Sequence, residues 1–175
     1  MGDTIGILYA TVDGQTLKIC NEIKEVLTSS NHKVELFAVE KFSGNISKFD
    51  KIILASSVRY GLHQEKLIAY IEKNKDELNK VKTAFFSVNL VARKPEKNTP
   101  TTNPYVIKFF KNIDWKPNVV EVFAGKLDYK KYPFFDRIMI QFIMWMTKGP
   151  TNSNAKIEYT NWQKVKEFGE VLGRL

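Results

Sequence analysis

The residues best placed to do chemistry in this chain are small and hydroxyl-bearing, and they gather in short loops. Thr11-Val12-Asp13-Gly14-Gln15-Thr16 follows the apolar run Ile5 to Tyr9 and leads into a segment of helical spacing. Backbone N–H groups at a helix N-terminus, with threonine hydroxyls beside them, make an anion site that suits a phosphate. An ordinary capped strand-to-helix turn explains the same residues equally well. The loop lacks the G-x-x-x-x-G-K-S/T pattern of Walker-type nucleotide hydrolysis and the G-x-G-x-x-G of a dinucleotide fold. A phosphoacceptor receiver domain would place acidic residues after the first strand, where Ala10 and Thr11 stand. Two further loops have a related make-up: Ala55-Ser56-Ser57-Val58-Arg59-Tyr60-Gly61 and Ser87-Val88-Asn89-Leu90-Val91-Ala92-Arg93-Lys94. No Ser-His-Asp arrangement or metal-ligand spacing is visible, so no catalytic acid, base or metal is assigned. His32 is expected in an exposed turn. His63 is expected at the surface, with assistance to proton removal as the alternative. Cys20 reads as a core residue on a sheet-facing helix, with nothing nearby in sequence to lower its pKa.

The elements that must position these loops follow from periodicity. Short apolar runs at Ile5 to Tyr9, Val34 to Ala38, Ile52 to Ala55, Thr83 to Val88 and Val119 to Leu127 read as five strands. Helical spacing is expected over Thr16 to Ser29, Lys66 to Leu78, Asn103 to Asn112 and Asn161 to Leu172. Alternation of this kind predicts a parallel sheet covered on both faces, with ligands at the carboxyl ends of the strands. All three loops lie at that edge, and their convergence is a stronger signal than any one of them. Asp128 to Tyr159 breaks the alternation, and an extra segment that long is usually functional or carries its own structure.

Composition sets the outer bounds. The chain has 175 residues, 43% hydrophobic and 26% charged, the make-up of one globular domain over 1–175 rather than a disordered or fibrous chain. One cysteine excludes an internal disulfide and a Cys-rich zinc site. The N-terminus lacks the features of a signal peptide, Gly6 stands where a myristoylation signal has Ser or Thr, and no apolar run is long enough to span a bilayer. Lys and Arg number 27 against 19 Asp and Glu, giving a net charge of +8 that favours anionic partners. Residues 91–160 hold twelve basic and six acidic side chains, and so most of that excess.

Ile7 to Thr16, running on to Ile23, resembles the flavodoxin phosphate loop, with Cys20 where that pattern usually has Ala. Ser57 to Gly61, Ser87 to Lys97, and Phe135-Asp136-Arg137 with Met139-Ile140 are similar to the bacterial menaquinone-dependent protoporphyrinogen oxidases, also called protoporphyrinogen IX dehydrogenases. The similarity runs from the first strand to Trp162. It implies an α/β flavodoxin-like, doubly wound, five-stranded parallel sheet of order 2-1-3-4-5, with an insertion over about 128–159. It also implies FMN-dependent oxidation of protoporphyrinogen IX to protoporphyrin IX, with electrons passed to menaquinone or ubiquinone. On that basis FMN is expected against Thr11 to Thr16, Ser56 to Gly61 and Ser87 to Ala92, with Tyr60 available to stack on the isoalloxazine ring. Arg59, Arg93, Lys94, Phe135, Arg137, Met139 and Ile143 are the expected substrate contacts. Positive charge at Arg59, Arg93 and Lys94 would favour the anionic reduced flavin, in contrast to acidic electron-carrier flavodoxins.

Phe134 to Met146 has ten apolar residues among thirteen and is too short to span a membrane. A buried core helix, an interfacial membrane helix and an adaptable wall for a flat substrate all fit it. The expected location is the cytoplasm, peripheral on the inner face of the cell membrane and attracted to an anionic surface. A flavodoxin-type electron shuttle or other FMN-dependent quinone reductase is the alternative, disfavoured for the shuttle by the basic charge. A nucleic-acid module is not expected, since its stacking aromatics should line an exposed sheet or groove.

Overall fold

Strand β1 (Thr4–Ala10) is buried along most of its length, as a strand covered on both faces must be. The computed structural model describes residues 2–175, so the reading of Met1 falls outside it. Helix α1 (Gln15–Ser29) follows, burying Ile19, Cys20, Ile23 and Leu27 on its sheet-facing side. Strands β2 (Lys33–Ala38) and β3 (Lys51–Arg59) pair parallel to β1 on either side. Strand β3 runs four residues past the expected end at Ala55, so Ser56 to Arg59 are strand and not loop. It then turns back through Tyr60 and Gly61 into β4 (Leu62–His63), which pairs with it antiparallel. Both turn residues have positive φ, 51° for Tyr60 and 75° for Gly61, a conformation glycine adopts freely and tyrosine does not.

Helix α2 (Glu65–Lys73) and the single turn α3 (Lys75–Leu78) replace the one helix expected there. Asn74 divides them, its side-chain amide donating back to the Tyr70 carbonyl. Strand β5 (Lys82–Asn89) pairs parallel to β3, and α4 (Pro104–Asn112) begins at Asn103, whose side chain accepts from the N–H groups of Tyr105 and Val106. Strand β6 (Val119–Ala124) completes the main sheet. Its parallel strands run β2-β1-β3-β5-β6, the expected 2-1-3-4-5 order, with β4 added off β3.

The chain leaves that sheet sooner than expected. Instead of one strand to Leu127, β7 (Lys126–Asp128) departs at Gly125, and beyond it come α5 (Phe134–Met146) and β8 (Lys156–Glu158), which pairs antiparallel with β7. The excursion returns where it began, the Tyr159 N–H donating to the Gly125 carbonyl at 3.0 Å. Helix α6 (Trp162–Arg174) then packs beside α1. Gly169 permits that approach, because a Cβ there would stand 2.9 Å from Val26 Cγ1. Ile5, Ile7, Ile53 and Phe86 meet α1 and α6 on one face of the sheet, while Leu8, Leu54 and Phe85 meet α2 and α4 on the other. Cys20 is wholly buried, and desolvation pushes its thiol pKa far above the ordinary value, as a core role requires.

Candidate active site

The parallel strands end at one edge, and there the loops after β1, β3 and β5 bound an open cleft of about 870 Å³. The first wall is the turn into α1. Gly14, at φ 83°, precedes the helix, and its N–H donates to Thr11 Oγ1 at 3.1 Å, closing the loop on itself. No acidic residue occupies the first turn of α1. Thr11, Asp13, Gln15 and Thr16 face the cleft, whereas Val12 projects outward and Gly14 does not line it. Gln15 is tied elsewhere, donating through Nε2 to Thr160 Oγ1, which itself donates to the Ala124 carbonyl.

Thr16 is fully buried, and its Oγ1 has no hydrogen-bond partner. Ser57 Oγ, also facing the cleft, is buried and unpartnered too. Buried hydroxyls in folded proteins nearly always find partners, so two of them converging on one cavity fit a polar ligand. The N-terminus of α1 beside Thr16 suits an anion. The residues present thus fit a flavin phosphate at Thr16 and polar ring atoms beside Ser57.

On the second wall Val58 to Gly61 line the cleft with Ser57, and on the third Val88 to Val91 do so. Three expected contacts are absent from these walls, and their neighbours explain why. The Ser56 hydroxyl is fully buried, accepting the Gln64 N–H and donating to the Ser57 carbonyl. Ser87 points to His63 Nε2 at 2.8 Å. Ala92 is buried in a satellite core with Val106 and Val122.

Helix α5 roofs the opening. Met139 and Ile143 line the cleft as expected, joined by Ile140 and Met144, which sequence reading missed. Tyr105, Gly125, Lys126 and Tyr132 were missed as well. Phe135, Arg137 and Lys94 lie outside its wall, with Phe135 82% exposed. The core reading of α5 fails, since Met144 is its one buried residue. Ile138, Phe142, Trp145 and Met146 face outward.

Electrostatics correct a further expectation. The Arg59 guanidinium bonds Asp13 at 3.1 Å and also pairs with Asp136 in the first turn of α5. Its charge is therefore shared between two carboxylates and is not free to act on a ligand. Asp136 accepts from the Tyr60 hydroxyl too, and the Tyr60 and Arg59 bonds together hold its carboxyl below the usual range. Burial pushes the Asp13 carboxyl the other way, against the pull of Arg59. Arg93 does keep its charge available. It lines the cleft and bonds only neutral oxygens, the Leu90 carbonyl at 3.0 Å and Thr147 Oγ1 at 2.8 Å among them.

The two histidines depart from expectation. His63 is 4% exposed, with edge contacts to Phe85 and Phe109, and burial lowers its pKa to about 4. His32 is partly buried, its Nδ1 accepting the Asp3 N–H. Among the described residues no group of side chains has the make-up of a metal site.

Comparison with known proteins agrees with this fold. Residues 6–154 match the family model for a flavodoxin domain. A protoporphyrinogen IX dehydrogenase [quinone] from Leishmania major is 44% identical over 97% of this chain and 74% of its own length. The protein of that name from Escherichia coli K12 is 36% identical over 97% of this chain and 94% of its own. Among solved structures, an archaeal flavodoxin aligns over 98% of this chain and 96% of its own, with a TM-score of 0.57 and 12% identity. A Streptococcus pneumoniae flavodoxin covers 98% of both, with a TM-score of 0.56 and 13% identity. These two share the fold; the two dehydrogenases share the sequence almost throughout, and the chain belongs to the flavodoxin-domain family and, within it, to that of the protoporphyrinogen IX dehydrogenases [quinone].

Proposed function

We propose that this protein binds FMN and oxidises protoporphyrinogen IX to protoporphyrin IX, passing the electrons to a quinone. The observation that carries the reading is one cleft holding two buried, unpartnered hydroxyls beneath an apolar helix, in a chain similar over 97% of its length to dehydrogenases of that name. Bound FMN supplies the two-electron exchange between porphyrinogen and quinone. The porphyrinogen gives up six hydrogens, and three quinones each take up two electrons and two protons to become quinols.

The chain's own residues bind and orient. Thr16 and the N–H groups opening α1 hold the phosphate, and the Ser57 hydroxyl with the backbone of 57–61 and 88–91 meets the ring. Arg93 presents a cation to the reduced ring or to a porphyrinogen carboxylate. Tyr132, Met139, Ile140 and Ile143 form an apolar wall that excludes water and accepts a broad, puckered macrocycle. The outward side of α5 rests on the surface of the inner membrane leaflet, with exposed Lys130, Lys131 and Lys148 at its ends facing anionic headgroups. Among the described residues no helix is long and apolar enough to cross a membrane, so the association proposed is peripheral.

The purified protein should be yellow and should generate porphyrin fluorescence from protoporphyrinogen under anaerobic conditions only when quinone is added. Thr16→Glu places a carboxylate where the phosphate sits and should leave the protein folded but colourless. Full flavin content in that variant would misplace the phosphate site.

A further inference from the structure

A second cavity, of about 480 Å³ against the cleft's 870 Å³, lies behind the β3–β4 hairpin. Leu62, Ile68, Phe109 and Ile113 make its walls mainly apolar, Lys108 and Asn112 add polar groups, and Gly61 and Tyr105 line both this slot and the large cleft. The turn at Tyr60 and Gly61 and the Tyr105 ring therefore stand between the two. His63 also lines the slot, and it is 4% exposed.

A chain of hydrogen bonds sets the tautomer of His63. Asn89 Oδ1 accepts the Ala92 N–H at 3.0 Å, which orients the amide so that Nδ2 donates to Ser87 Oγ at 3.0 Å. Ser87 is thus an acceptor from Asn89 and has one proton of its own to give. Among the described residues its remaining partner is His63 Nε2, at 2.8 Å. An uncharged imidazole that accepts at Nε2 carries its proton on Nδ1. Burial keeps the ring neutral at physiological pH, with a pKa of about 4. Among the described residues no group pairs with Nδ1, so its N–H is open to an acceptor in the slot that His63 lines.

We propose that this slot binds the aromatic head of the quinone, with His63 Nδ1–H donating to one of its carbonyls. The inference rests on the quinone-linked reading above and gives the acceptor its own seat, apart from the porphyrinogen. Three features select the occupant. The slot has about half the volume of the cleft, room for one or two fused rings. The His63 donor among mainly apolar walls, with Lys108 and Asn112 also lining the slot, matches a flat apolar ring bearing two carbonyls. The position, across the hairpin turn from the cleft, keeps the acceptor next to the proposed cofactor site, with Gly61 and Tyr105 shared by the two. Leu62 is half exposed at the rim, so an isoprenoid tail can leave the slot there.

The test uses the FMN-loaded protein and menadione as the quinone probe. Leu62→Trp blocks the slot from its exposed rim, and His63→Leu removes the donor. Both should raise the KM for menadione about tenfold, the worth of one well-placed hydrogen bond or of its steric equivalent. Both should leave anaerobic flavin reduction by protoporphyrinogen, and reoxidation by ferricyanide, unchanged. In an NMR titration of the oxidised wild-type protein, menadione should shift the His63 ring resonances, and it should fail to do so in Leu62→Trp. A folded, yellow Leu62→Trp protein with an unaltered menadione KM would overturn the proposal, as would His63 resonances that stay fixed at saturating menadione, the result expected if water alone fills the slot. If His63→Leu does not fold, the rim variant and the titration still decide. Failure of protoporphyrinogen to reduce the wild-type flavin would sink the parent reading, and the titration would judge the slot separately.

Discussion

Asp136 joins two parts of the protein that sequence keeps 77 residues apart, accepting from Arg59 and Tyr60 at the hairpin while it sits in the first turn of α5. Its carboxyl titrates below the ordinary range, so the folded state holds the charged form more tightly than the unfolded chain does. The stabilisation is complete above the ordinary carboxylate pKa and is lost as pH falls through the lowered value. At neutral pH, Asp136→Asn should therefore loosen α5 as acid would in the wild type. Hydrogen exchange should show α5 amides exchanging several-fold faster in the variant, with the amides of β1 and β5 unchanged. Equal exchange in both proteins would mean that the tie holds nothing. At this scale the sequence was informative about residue types and weak about partners. The phosphate-loop threonines and Ser57 stand out by composition and position. The neutralisation of Arg59 does not, because a charge on a loop carries no sign of which carboxylate will fold against it. His63 misled for the same reason: its burial comes from Phe85 and Phe109, on elements its local context does not name.

The main-sheet strands were legible as elements because parallel strands buried on both faces appear as compact apolar runs. Their ends were less legible. Ser56 to Arg59 has the small and polar composition of a loop, yet it pairs with β5 and β4 because neighbouring strands continue alongside it. The β7–β8 pair was missed because three-residue strands carry no usable period. Helix α5 was recognised, but its burial was not, since ten apolar residues in thirteen suit a core helix as well as a surface one. The structure divides its residues sharply, and the energetics should follow. Met144 is wholly buried against Leu127, Tyr129 and Tyr132, so Met144→Ala should cost about 2–5 kcal/mol in chemical denaturation. Phe142 and Trp145 are 54% and 69% exposed. Their replacement by Ser should change stability by only ~0.5 kcal/mol and spare FMN content, while abolishing porphyrinogen turnover or membrane association. Retained turnover and retained vesicle binding in the double variant would remove the functional role of that face.

For the molecule as a whole, a net charge of +8 and an exposed apolar helix with lysines at its ends favour the same kind of partner, an anionic surface. Attraction to anionic vesicles should be strong at low ionic strength and fall steeply as salt rises past ~0.1 M, where the Debye length shrinks to about 10 Å. Neutral vesicles should bind weakly at any salt. Equal affinity for both lipids in a flotation assay would leave the charge without that role. The bond from the Tyr159 N–H to the Gly125 carbonyl has a longer-range consequence. Because the excursion that carries α5 departs and returns at hydrogen-bonded backbone positions, its two ends already meet, and the main sheet is complete before it begins. A segment attached in this way can be gained, lengthened or exchanged over generations at little entropic cost to its host, since closure entropy rises only slowly with loop length. The feature is thus a grafting point, through which a parallel-sheet scaffold can take on a new surface chemistry while its strand order stays as it was.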